Sequence, residues 1–192
     1  MLKELILKNR SYRRFYQDDA VPAGVLRKLI DLASITPSGA NKQPLKYILT
    51  SDSGVNKAVF NTLKWAGYLS DWTGPAEGER PSAYIVVLGD TGIASEYYAD
   101  PGIAMQTILL GAVEEGYGGC ILASVDRDVL RKELNISGRY KILYVIALGK
   151  PRETVVLEEI KNGDVKYWRD ESGIHHVPKR GVDELIVDTY TV

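Results

Sequence analysis

The stretch "GIAMQTILLGAVEEGYGGCILAS", Gly102 to Ser124, decides how the rest of the chain is read. Asp100 and Pro101 stand just before it, an acidic residue and a proline suited to a first helical turn. The helix they open ends at Gly116. "GGCILAS" then reads as a strand. Working outward, "AYIVVLGD" from Ala83 and "KILYVIALG" from Lys141 are apolar enough to be buried strands, and "LKYILTS" from Leu45 is another. "LKELILK" is a short amphipathic helix with Leu2, Leu5 and Ile6 on one face. Pro22 opens a helix to about Ile35, with Val25, Leu26, Leu29, Ile30 and Ala33 at helical spacing. Residues 53–64 read as a helix, and Asp126 caps a short one through Asn135. Alternating helices and strands, taken alone, predict a parallel α/β sheet.

Two segments escape this pattern. "WAGYLSDWTGPAEGERP", residues 65–81, is a long irregular stretch, and loops of that length usually carry function or are disordered. The last forty or so residues are polar, with isolated apolar spots in "VVLEEI", "VKYWRD", "IHHVPKR" and "ELIV". They hold too few apolar side chains for a core of their own. Trp168, Ile174 and Leu185 predict a tail that wraps over its own domain or over a partner subunit.

At 192 residues, one domain spanning 1–192 is expected. The chain has 24 basic and 25 acidic residues. That balance argues against a nucleic-acid or membrane-surface binder, so any cationic site must be local. A single cysteine, Cys120, rules out an intrachain disulfide and fits a reducing compartment. No signal-like or membrane-spanning apolar run is present, and the expectation is a soluble, cytoplasmic protein. Twelve tyrosines against two phenylalanines favour half-wet surfaces such as subunit interfaces and ligand clefts.

The chain contains no GxGxxG after a strand, no P-loop, no HExxH and no GxSxG. His175 and His176 are adjacent and do not converge on one metal, so no metal site is expected. Cys120 sits in a buried strand, where a thiol is commonly a small hydrophobe. With side-chain machinery absent, any enzymatic chemistry belongs to a cofactor. Three polar clusters remain: the arginine-rich loop in "LKNRSYRRF" (Leu7 to Phe15), the turn "PSGANKQP" (Pro37 to Pro44) and the basic "HHVPKR" (His175 to Arg180). Together they could surround a phosphate and a polyol. Taken singly, each reads first as charge decorating solvent, and Arg14 reads as a surface residue.

"NRSYRRF", "PSGANKQPLKY" and "GIAMQTILLGAVEEGYGGCILAS", with "ALGKP" and the basic "PKR", resemble the FMN-dependent nitroreductase family, in order along nearly the whole chain. The resemblance implies an α+β fold with a central mixed, mostly antiparallel sheet flanked by helices. It also implies a homodimer with FMN at the subunit interface and a C-terminal segment extending over the partner.

The family's opening motif is usually Arg-x-Ser-x-Arg. Asn9 stands in its first slot, Ser11 and Arg13 in the others, and Arg10 is displaced by one. By resemblance, Arg13 sits beside the flavin pyrimidine edge, where a cation stabilises the charge that builds on reduction. Ser11 contacts the phosphate or ribityl chain, and Arg10 is a phosphate candidate. Pro37, Ser38, Gly39, Asn41 and Gln43 match the turn that covers the flavin, normally from the other subunit. Cys120, Ile121, Leu122, Ala123 and Ser124 match the strand along the ring, with an N–H near Ala123 or Ser124 toward N5. Lys179 and Arg180 match a basic pair on the phosphate.

The implied activity is ping-pong hydride transfer from NAD(P)H through FMN to a small acceptor such as a nitroaromatic, a quinone or a free flavin. Trp65, Tyr68 and Trp72 are then candidate stacking surfaces of the substrate pocket, or alternatively dimer-core packing. Two rivals stay open: a dehalogenase or flavin-modifying enzyme on the same fold, and a non-catalytic flavin-binding dimer.

Overall fold

The computed structural model describes residues 1–191. In chain order the elements are α1 (Leu2–Lys8), β1 (Phe15–Tyr16), α2 (Ala23–Ser34), β2 (Leu45–Thr50), α3 (Ser53–Phe60), β3 (Ala83–Asp90) and α4 (Asp100–Glu114). There follow β4 (Gly118–Leu122), α5 (Arg127–Glu133), β5 (Tyr140–Pro151), β6 (Val155–Glu159), β7 (Trp168–Arg169), β8 (His175–Lys179) and α6 (Val182–Leu185). The fold is α+β.

β5 organises the main sheet. It pairs with β3 along one edge, with β4 along the other, and with β1 at its C-terminal end, while β2 completes the sheet beyond β3. Every ladder in this sheet is antiparallel, so the parallel sheet that simple alternation predicts does not form. Two connections explain why. α3 carries the chain away from β2, and the irregular residues 61–82 return it to the end of the sheet it left, which antiparallel neighbours require. The opening stretch is a genuine crossover through α4. Because β3 and β4 both run antiparallel to β5, they are parallel to each other, with β5 inserted between them.

All eight residues of β3 are buried, as expected of a strand covered on both faces. Ala83, Ile85 and Val87 pack with Ile146 and Leu148 under α2 (Leu26, Leu29, Ala33) and α4 (Ala104, Met105, Ile108, Leu109, Ala112). On the opposite face Tyr84, Val86 and Leu88 pack with Cys120, Leu122, Val145, Leu130 of α5 and Val59 of α3, joined by Leu63 and Trp65. α3 ends at Phe60, short of the expected residue 64, because Leu63 leaves the helix to bridge Val125. α5 ends at Glu133, and Asn135 adopts a left-handed backbone (φ 49°) that stops it.

The polar tail makes a second, three-stranded sheet, with β8 between β6 (parallel) and β7 (antiparallel). It folds back over its own chain. The His175 N–H donates to the Thr154 carbonyl (2.9 Å), and Arg169 reaches Glu153 at the end of β5. Beyond β8, Val182, Leu185, Ile186, Val187 and Tyr190 are exposed.

Gly119 in β4 is fixed by space. A Cβ there would lie 2.5 Å from the Ala147 carbonyl oxygen and 2.7 Å from Leu109 Cδ2. Gly119→Ala should destabilise the protein by about 1–3 kcal/mol, because backbone and a packed helix must both shift. Urea unfolding at constant m-value measures this, and an unaltered midpoint would contradict it.

Candidate functional site

The arginine-rich loop leaves α1 and lies along the free edge of β4. Ser11 bridges Gly119, and the Tyr12 N–H donates to the Gly119 carbonyl (3.0 Å). Residues a hundred positions apart are thereby brought together. Arg10 turns back on its own helix: Nε donates to the Asn9 carbonyl (2.7 Å) and Nη2 to the Ile6 carbonyl (2.5 Å). Arg13 points the other way. Its Nη1 donates to the Ser11 carbonyl (3.2 Å) and to His175 Nε2 (3.2 Å), and its Cζ stands 4.8 Å from the Tyr167 ring centroid. Nε and Nη2 of Arg13 have no hydrogen-bond partner among the described residues.

Strand alternation divides the residues of β4. Cys120 and Leu122 face the lower core, and burial pushes the Cys120 thiol up from its ordinary value. Ile121, Ala123 and Ser124 are exposed. The carbonyls of Ala123 and Ser124 accept from Arg127 Nη2 (3.2 Å) and from the Lys64 N–H (3.0 Å). No loop hydrogen bond among the described residues uses the N–H groups of Ala123 or Ser124. This strand exit borders a cavity of about 360 Å³.

The turn after α2 is anchored to the start of α4. Asp100 is buried and accepts from Ser38 Oγ (2.6 Å) and from the Gly39 N–H (2.8 Å). Ala40, Asn41 and Gln43 have positive φ, and Gln43 Nε2 donates to Asn41 Oδ1 (3.0 Å), leaving both side chains exposed. Pro37, Ser38 and Gln43 line a cleft of about 410 Å³. Leu109, which packs on Gly119, lies roughly two and a half helical turns from Asp100, or about 13 Å along α4. Within one chain the turn is tied to the start of α4, and the arginine loop lies beside Gly119, which packs on the later part of that helix.

These features fit a flavin nucleotide. Arg13 offers a cation with spare donors near the loop–strand junction, and the exit of β4 offers backbone N–H groups; an anionic, planar ligand can use both.

The model of the nitroreductase family matches residues 6–150. The chain belongs to the nitroreductase family. It is an oxidoreductase. A protein of Archaeoglobus fulgidus with the provisional name NADH dehydrogenase/NAD(P)H nitroreductase is 27% identical over 158 residues, covering 78% of this chain and 85% of its own length. A solved structure from Parabacteroides distasonis, provisionally named in the same way, superposes with TM-score 0.64 at 28% identity, covering 84% of this chain and 92% of that one. A nitroreductase-family structure from Streptococcus pneumoniae TIGR4 reaches TM-score 0.69 at 17% identity, over 98% of this chain and all of that one (100%), and shows the shared fold. No helix among the described residues is long and apolar enough to cross a membrane.

Other predicted residues of this nitroreductase-family chain lie as follows. Lys179 ends β8 and is exposed, and Arg180 is ion-paired with Glu184 of α6. It is His175, at the opposite end of β8, that meets Arg13. Trp65, expected as a stacking surface, is instead a core residue beside Phe60 (ring centroids 5.9 Å apart). Tyr68 remains exposed and packs on Tyr167 (5.0 Å), and Arg169 lies over the Trp72 ring (4.2 Å). Arg14 is no bare surface cation. It pairs with Glu79 through both Nε (2.7 Å) and Nη2, which ties the irregular segment to the loop.

Sequence reasoning misses Glu153, Tyr167 and Arg169, and meets His175 only as part of a basic cluster. The Glu153 side chain is 1% exposed and accepts from the Arg13 and Arg14 N–H groups and from Arg169 Nη2 (2.8 Å). Reading "IHHVPK" as a strand would have shown that its two histidines must face opposite ways. His175 is buried, whereas His176 is held between Glu158 (2.8 Å) and Asp170 (3.2 Å).

Two outcomes follow from this cluster. Glu153→Ala strands Arg169 and two loop N–H groups, so it should cost on the order of 3–5 kcal/mol, read by chemical denaturation; a loss under about 1 kcal/mol would mean water replaces the carboxylate. Burial, with Arg13, Arg169 and His176 nearby, pushes His175 down to about 4. The unfolded imidazole, titrating near 6.5, binds a proton that the folded one refuses. Stability should therefore fall as pH drops from about 6.5 to about 4, by up to about 1.4 kcal/mol per pH unit from this group. His176 is shifted upward by its two carboxylates and acts above that window. Unfolding curves across the window should flatten in His175→Leu.

Proposed function

We propose that this protein is an FMN-dependent oxidoreductase that takes reducing equivalents from NAD(P)H and passes them to a small organic acceptor. The observation that carries the proposal is the hydrogen-bonded junction of the Ser11–Tyr12 segment with Gly119. The loop that carries Arg13 thereby runs along the free edge of β4 at Gly119, and two donor nitrogens of Arg13 are unspent. FMN, when bound, supplies a ring that accepts hydride at N5 and yields the electrons again.

The chain's own residues bind and orient. Arg13 offers positive charge to the pyrimidine edge, where negative charge grows on reduction. With FMN bound, an N–H at Ala123 or Ser124 would be the donor toward N5, and exposed Ile121 would lie along the ring. Ser11, Arg10, Lys179 and Arg180 are the phosphate-side candidates. Arg180 can turn to an anion only by leaving Glu184. Exposed Tyr68 and half-buried Trp72, one face of which Arg169 covers, are the candidates for the open side, where donor and acceptor would stack in turn. A shared face needs no separate nicotinamide motif. The names of the relatives, NADH dehydrogenase and NAD(P)H nitroreductase, support a nicotinamide donor.

The turn at Pro37, Ser38, Gly39, Asn41 and Gln43 sits at the start of α4, whereas Gly119 packs on its later part. It covers the flavin of a second copy in a homodimer. The exposed Val182, Leu185, Ile186 and Val187 belong to the segment that extends over that copy.

The purified protein should carry yellow flavin at about one per chain. NADH or NADPH added anaerobically should bleach it, and bleaching by neither would overturn the proposal. Arg13→Ala should weaken FMN binding on the order of tenfold, the loss of one charge-assisted contact, and make the flavin's reduction potential more negative. Equal affinity and potential in the variant would show that the role is misassigned.

A further inference from the structure

Arg13 is held from one side only. Nη1 is used twice, on the Ser11 carbonyl and on His175 Nε2, and the Tyr167 ring supports the guanidinium plane. A guanidinium only donates, so His175 Nε2 must accept, and the imidazole carries its proton on Nδ1. That Nδ1 is buried and has no partner among the described residues. An unpaired buried donor is destabilising, and an apolar side chain in the same slot would avoid that cost. What histidine offers here and leucine does not is the acceptor for Arg13.

The imidazole is itself fixed. Its backbone N–H donates to Thr154, it pairs with Val155 across β6, and its ring lies 5.1 Å from that of Tyr167. The Tyr167 hydroxyl accepts from the Tyr68 N–H (3.4 Å), so the same cluster reaches the irregular segment 65–81. Charged groups around it are Arg13, Arg169 and His176, with Glu153 bonded to both arginine-bearing elements.

We infer that His175 is a positioning residue, whose neutral Nε2 holds Arg13 in the orientation that leaves the Nε and Nη2 edge free for an anion. That anion is the reduced flavin's pyrimidine edge, and for its identity the inference rests on the proposed function. A protonated imidazole has no acceptor at Nε2 and repels the guanidinium, so Arg13 is released when His175 is charged.

The test compares five variants of the full chain. His175→Leu removes the acceptor. His175→Asn keeps a polar side chain too short to reach, and His175→Gln puts an amide oxygen near the Nε2 position. Arg13→Ala is made alone and combined with His175→Leu. The first readout needs no flavin: the Arg13 guanidinium resonances, assigned by their loss in Arg13→Ala. They should be separate and slowly exchanging in the wild type and His175→Gln, and averaged in His175→Leu and His175→Asn. The second is FMN affinity and reduction potential. His175→Leu and His175→Asn should weaken FMN roughly tenfold and shift the potential in the direction of Arg13→Ala. The double variant should add nothing to Arg13→Ala, because His175 acts through that residue.

A filler of space would lower stability in His175→Leu yet leave resonances and potential unmoved, which would overturn the inference. So would averaged resonances with an unmoved potential, provided Arg13→Ala shifts it. If Arg13→Ala leaves the potential unchanged, or no protein binds FMN, the flavin reading falls, and the resonances decide the clamp by themselves.

Discussion

Glu153 is the carboxylate on which the site's geometry depends. It stands just past the end of β5, almost wholly shielded from water, and three donors from two distant segments converge on it. A buried carboxylate is tolerated only when its oxygens are bonded, and here the bonds are the architecture. Two come from backbone N–H groups, which fixes the path of the arginine loop itself. The third comes from Arg169, which carries the tail sheet with it and lies over Trp72. Loop, sheet end, tail and irregular segment are thus held at one point.

α4 plays the complementary part, as a spacer. Its first residue, Asp100, anchors the turn after α2, and its later turns press on Gly119 and so on the loop beside it. That helix sets Asp100 about 13 Å along its axis from Leu109, the residue that packs on Gly119. The proposed homodimer would bring the turn of one copy to the junction of the other, since a two-fold interface pairs unlike patches reciprocally.

Much of the fold was legible. β3 and β5 announce themselves as apolar runs, and α2 shows its inward stripe at Leu26, Leu29 and Ala33. Sheet direction was not legible from alternation, because nothing local in "WAGYLSDWTGPAEGERP" says that the connection doubles back. Of the site, the arginine loop, the turn and the strand exit could be seen as polar or glycine-rich exceptions to an apolar pattern. Glu153 and Arg169 could not, since each is one charge among many, and only burial distinguishes them. Trp65 illustrates the converse. An aromatic in a loop looks available for stacking, and here packing against Phe60 removes it from solvent.

The amino-acid sequence by itself determined the local matters: which segments are helical or extended, where they stop, that charge is concentrated near Arg10 to Arg14, and that the chain resembles its family. These depend on neighbours a few positions away. The tertiary structure alone decided that Arg13 meets His175 and not Lys179, that Arg14 is paired, and that the polar tail is a sheet. Each of those contacts joins residues tens to more than a hundred positions apart, up to 162 for Arg13 and His175. Which of many similar charges becomes a partner is set by the closure of the chain around one core, and no local pattern encodes it.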